Sequence, residues 1–238
     1  MADANKGTSP WVFIGVGCLL SVLLIVAVIV AIGAWGFSQV RELQRTMEDP
    51  AARSDAAAET LAADELPEGY HAMMAVSIPF LMETAMLTDR PPDEDGNLNR
   101  FGEHGFIYFK TLSVGNQEQE LQDFFEGNTD DSQVLDQTSI RVDMRELVDR
   151  GTIEEPDRTL RWVAYRGEIG DRNRRDFGEG LNTMVMFECP NAERVRMGIW
   201  FGPDPDPDTP ADLVDFTGTV ADADEIQRFM RHFDVCSR

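Results

Sequence analysis

From Trp11 to Phe37 the chain runs for 27 residues without a charged side chain. A hydrocarbon core of about 30 Å is crossed by about 20 helical residues, so this run is long enough to span a bilayer with some tilt. Trp11 and Trp35 stand 24 residues apart. At ~1.5 Å per residue that is about 36 Å, which places one indole in each interface. A cleaved signal would have an apolar stretch of about 7 to 15 residues behind a basic region. Here the run is far longer and follows a single lysine, Lys6. Residues 11–37 therefore predict an uncleaved transmembrane helix, with the lipid bilayer as the chain's first partner.

Orientation follows from two opposed arguments. Arg41, Arg45 and Arg53 follow the helix and only Lys6 and the α-amine precede it, so a count of cations alone puts the following domain inside. Glu42, Glu48, Asp49 and Asp55 interleave with those arginines, however, and long domains translocate largely regardless of charge. The expected arrangement is a single-pass protein of the cell membrane with its globular domain extracytoplasmic. Four segments are expected. Residues 1–10 form a short polar tail and 11–37 the transmembrane helix. Residues 38–66 form a juxtamembrane helix, stopped by Pro50, and a flexible or partly helical Ala/Asp/Glu-rich stalk. Residues 67–238 form one acidic globular domain. The stalk reading rests on composition, since 51–66 holds only Leu61 and Leu66 as large aliphatics.

The net charge is −22, and Asp3 and Lys6 cancel within the first forty residues, so the whole excess lies beyond the apolar run. A polyanion of this size repels DNA, RNA and anionic headgroups, which argues against nucleic acid as a partner. An unknown protein partner met through charge is expected to be cationic. Two lysines against nineteen arginines fit a GC-rich genome, and with the anchor suggest a bacterial cell envelope.

Beyond Pro67 the apolar pattern has period two. Strands are predicted at 73–78, 81–88, 105–113, 138–142, 159–169, 181–189 and 194–201, the last two joined as a hairpin through Pro190 to Glu193. Helices are predicted after Asn116, with Leu121, Phe124 and Phe125 on one side and Gly127 at the end, and at 144–150 between Asp143 and Gly151. A last helix starts at Asp222, with Ile226, Phe229, Met230 and Phe233 at i, i+3, i+4, i+7. The fold class is α+β: an N-terminal transmembrane helix, then an antiparallel sheet covered on one face by two or three helices.

Candidate chemistry is sparse. His71, His104 and His232 have no metal-ligand or nucleophile–base spacing, and no phosphate-loop, nucleophile-elbow or zinc signature is present. Asp204, Asp206, Asp208, Asp212 and Asp215 fall at places 1, 3, 5, 9 and 12 of a calcium-loop template, which makes calcium the one candidate cofactor. Against it, Thr209 fills the place of the turn glycine, and Pro205, Pro207 and Pro210 hold their predecessors extended. Arg172, Arg174 and Arg175 form the domain's basic cluster and are a candidate binding site, though Asp171 and Asp176 oppose its field. Cys189 and Cys236 are expected to form a disulfide if the domain faces an oxidising compartment, with Cys189 closing a strand and Cys236 following the last helix. The reading these features support is a membrane-tethered, non-catalytic binding or sensing module. Its alternatives are a membrane-tethered enzyme of unknown reaction and a structural accessory subunit of an envelope complex.

Overall fold

The structure is a computed structural model that describes residues 49–78, 82–93, 96, 98, 100–112, 117–129, 140–171, 176–190 and 194–237. These lie in one of two compact units into which the chain divides, Thr46–Arg238. Residues 11–37 and the juxtamembrane helix expected over 38–49, Asp49 apart, lie outside the described residues. No helix among the described residues is long and apolar enough to cross a membrane.

Among the described residues seven strands form one antiparallel sheet: β1 (His71–Ile78), β2 (Met82–Thr88), β3 (Gly105–Leu112), β4 (Ile140–Glu154), β5 (Thr159–Asp171), β6 (Asp176–Glu188) and β7 (Arg194–Gly202). Their order is β1-β2-β3-β7-β6-β5-β4, so two meanders are joined where β3 pairs with β7. Alternation sorts the side chains onto two faces. Phe106, Tyr108, Trp162, Val185 and Trp200 enter one core, and Ile107, Val163, Met184, Met197 and Ile199 the other.

The first face is covered by α1 (Pro50–Leu61) and α3 (Ala223–Met230), the second by α2 (Gln117–Glu126). Among the described residues, three α-helices and a single antiparallel sheet make an α+β domain, but the helices occupy both faces rather than one. Each sheet face carries its own run of large apolar residues, and leaving either in water would forfeit ~1.5–3 kcal/mol per side chain. In α3, Ile226, Phe229 and Met230 are buried as their spacing predicts, and Asp222 caps the helix by accepting from the Asp224 N–H at 2.9 Å. Phe229 stacks on Trp200 with centroids 4.4 Å apart, and Phe233 stacks on Phe106 at 4.9 Å.

Two segments differ from their expected form. The stretch read as a stalk contains α1, which packs on the sheet. Pro50, read as a helix stop, is the first residue of this helix, with Asp49 as its cap accepting from the Ala51 N–H at 2.9 Å. Arg53, Ala57 and Leu61 fall at i, i+4, i+8 and are all buried. Alanine lets the helix lie close against β1, so few large aliphatics are needed to bury that face.

The helix expected at 144–150 is the middle of the 15-residue strand β4. Register shifts between Met144 and Glu146, and between Leu147 and Asp149, put an extra residue into the strand twice. The apolar positions 144, 147 and 148 therefore imitate helical spacing, although Met144 packs against one core, Val148 against the other, and Leu147 is 41 % exposed. Asn116, the expected cap of α2, lies outside the described residues, whereas Gly127 takes the left-handed φ of 77° expected after a helix end.

Candidate functional site

The strongest concentration of charge-assisted contacts surrounds Arg166, in the middle of β5. Its side chain is 7 % exposed. β4 presents Glu146 opposite it in register, and the loop after β7 brings Asp204. Arg166 Nη1 donates to Glu146 Oε2 at 2.9 Å and to the Thr209 carbonyl at 2.5 Å. Nη2 donates to Asp204 Oδ1 at 3.2 Å and to the Asp206 carbonyl at 2.7 Å, and Nε stands 2.7 Å from Asp204 Oδ2. The guanidinium also lies 5.5 Å from the centroid of Phe216. Only an arginine fork satisfies two carboxylates and two carbonyls at once.

Electrostatics follow from this geometry. The Ala211 N–H, donating to Oε1 at 2.9 Å, and then Arg166 hold the Glu146 carboxyl below the usual glutamate value. Burial opposes the charge on Arg166, but the hydrogen bonds to Glu146 and Asp204 outweigh it and raise its pKa further. A cleft of about 530 Å³ opens beside this knot, lined by Arg145, Glu146, Glu179, Asp204 and Asp208 among others. At its wall Gly180 has φ 147°, and a Cβ there would stand 2.9 Å from the Gly202 carbonyl oxygen, so glycine is required.

Two of the five aspartates of the calcium template, Asp204 and Asp206, meet this knot. Asp204 faces Arg166, and Asp206 turns its carbonyl to the same guanidinium. Asp212 sits in a single 3-10 turn, Ala211–Leu213, and Asp208 is exposed at the cleft. Asp215 accepts from the Thr217 hydroxyl at 2.6 Å and N–H at 3.0 Å, which lower its pKa. Among the described residues no three His, Cys, Asp or Glu side chains converge as metal ligands. Arg172, Arg174 and Arg175 lie outside the described residues.

A second cleft, of about 460 Å³, is lined by Glu154, Glu155, Arg158, Gln227, Arg231 and Phe233 among others. Arg158 is buried, donates to the carbonyls of Phe233 and Met230, and pairs with Glu155 at 2.7 Å. It thus adds a charged donor to carbonyls at and just beyond the end of α3. Beside it Cys189 and Cys236 form the expected disulfide, with Cα atoms 5.3 Å apart. His104 accompanies Asp89: its ring Nδ1 lies 3.1 Å from Oδ2, which also accepts the His104 N–H at 2.9 Å. Arg166, Arg158 and Asp89 are not singled out by the sequence: Arg166 falls inside the strand predicted at 159–169, and Arg158 and Asp89 stand next to the ends of predicted strands with nothing local to mark them. Comparison with protein-family models, curated proteins and solved structures gave no match.

Proposed function

We propose that this chain is a membrane-tethered, non-catalytic binding or sensing module of a bacterial cell envelope, anchored by residues 11–37 with its acidic domain facing outward. The observation that carries the non-catalytic reading is the engagement of the buried charges at both clefts. Arg166, Asp204, Arg158 and Glu155 hold a loop and a helix end through contacts with the chain itself. The outward orientation is supported by the Cys189–Cys236 disulfide, a bond that persists in oxidising compartments. The net charge of −22 supports a cationic protein partner.

The test is cross-linking of the full chain in intact membranes, followed by purification at low and at high salt. The expected result is one cross-linked protein with a basic contact surface, lost at high salt, together with a chain that alkaline carbonate does not release. A chain released by carbonate, or one that cross-links to nothing at low salt, overturns the proposal.

A further inference from the structure

The two edges of the sheet are unlike. β4 carries seven charged residues in fifteen, Arg141, Asp143, Arg145, Glu146, Asp149, Arg150 and Glu154, and two register shifts. Charges and bulges are the devices that stop an edge strand from pairing with another chain. β1, at the opposite edge, has the sequence HAMMAVSI, without an Asp, Glu, Lys or Arg.

Its first turn is closed off: Arg53 Nε donates to the Ala72 carbonyl at 2.7 Å and Nη2 to the Gly96 carbonyl at 2.9 Å. Residues 73–78 follow, paired to β2 without interruption from Met74 to Ile78. Among the described residues no strand lies outside β1. The end of the β1–β2 hairpin leaves Ile78 41 % and Met82 37 % exposed.

The chain that leads into this edge is acidic, although Arg90 is exposed two residues after Thr88, the β2 partner of His71. Between residues 50 and 70 the exposed charges are Asp55, Glu59, Asp64, Glu65 and Glu68, and the one basic residue, Arg53, is buried. A second copy of the chain would bring the same carboxylates against these. An extended segment with cationic flanks would neutralise them.

We propose that residues 73–78 of β1 are a docking edge for an extended apolar segment of a partner protein, which adds as an eighth strand and carries Lys or Arg where it passes the acidic stretch before His71. Backbone pairing supplies the affinity and the flanking charges the selectivity, as in other cases of strand addition. Because β4 is guarded, addition stops at one strand and does not propagate into a fibre. This rests on the reading of the domain as a binding module and names its partner's chemistry.

The test uses the full chain in detergent and a labelled synthetic peptide of alternating valine and threonine with lysines at its C-terminal end. Anisotropy is expected to show binding that weakens about tenfold or more when alternate peptide nitrogens are methylated, and by a similar factor when glutamates replace the lysines. Hydrogen exchange at residues 73–78 slows in the complex. Val76→Lys, which gives β1 the kind of guard that β4 carries, abolishes binding without changing the circular dichroism spectrum. Equal binding of the methylated peptide, protection at β4 instead of β1, or no binding overturns the proposal. If the peptide fails while the membrane cross-link persists, the edge assignment alone falls. If both fail, the binding-module reading falls with it.

Discussion

Reducing the Cys189–Cys236 bond tests whether it acts on the unfolded chain or on the native tail. The two cysteines are 47 residues apart in sequence. In the chain-entropy model, closing a loop of that length removes about 13.6 cal/mol/K from the denatured ensemble, about 4 kcal/mol at 25 °C. Native contacts near the bond are held independently: Arg158 binds the Met230 and Phe233 carbonyls, and the Asp234 N–H donates to the Ala62 carbonyl at 3.3 Å. Reduction should therefore leave the native fold in place and lower its stability by about 4 kcal/mol. With a urea slope of about 2 kcal/mol/M the midpoint falls by about 2 M. The assay is urea unfolding followed by tryptophan fluorescence, with and without reductant, and with thiol labelling to count free cysteines. One thiol, Cys18, is expected before reduction and three after it. A midpoint that moves by less than about 0.5 M under complete reduction refutes the unfolded-state argument.

Other consequences are open to measurement. Arg166→Ala leaves Asp204, whose side chain is 6 % exposed, buried without its cation, and should cost ~3–5 kcal/mol in urea unfolding. The double variant Arg166→Met with Asp204→Asn should recover part of that loss. Leu61→Ala empties a fully buried position in α1 and should cost about 2–5 kcal/mol, where a solvated stalk predicts no change. Glu146 and Asp215 have lowered pKa values in the folded state, so their contribution is fully present above the ordinary carboxylate values and is lost as pH falls through the lowered ones. Thermal midpoints should therefore be flat near neutrality and fall in that acidic window, and Glu146→Gln should make the fall shallower.

Elements whose apolar spacing is uninterrupted were legible in the sequence. The β6–β7 hairpin, α3 and the disulfide follow from period two, period 3.6 and the placement of Cys189 and Cys236 at adjoining ends. β4 was misread because its two bulges disturb the period that identifies a strand. A partly helical stalk over 51–66 was within the expectation; its packing on the sheet was not, because the buried face of α1 consists of Arg53, Ala57 and Leu61, which composition alone scores as solvated. The knot at Arg166 is invisible in one dimension: Asp204 and Thr209 lie 38 and 43 residues away, and nothing local marks Arg166 as buried. The aspartate spacing that suggests calcium falls in an Asp-Pro loop that Arg166 of β5 clamps through Asp204 and the Asp206 and Thr209 carbonyls, contacts that one dimension does not show.

The pairing of β3 with β7 has a consequence for synthesis. Its partners run from Leu112 with Arg194 to Gly105 with Phe201, separations of 82 (194 − 112) to 96 (201 − 105) residues. At about 5–20 residues per second, β3 waits roughly 4 to 19 s after it is made before the strand that covers its edge exists. Neither meander closes the sheet before then, and all four strands of the second must be made first. A chain halted before Arg194 therefore carries an uncovered β3 edge, GFIYFKTL, with one charge in eight residues. The vulnerable period of this protein is set by strand order, and its length scales with translation speed.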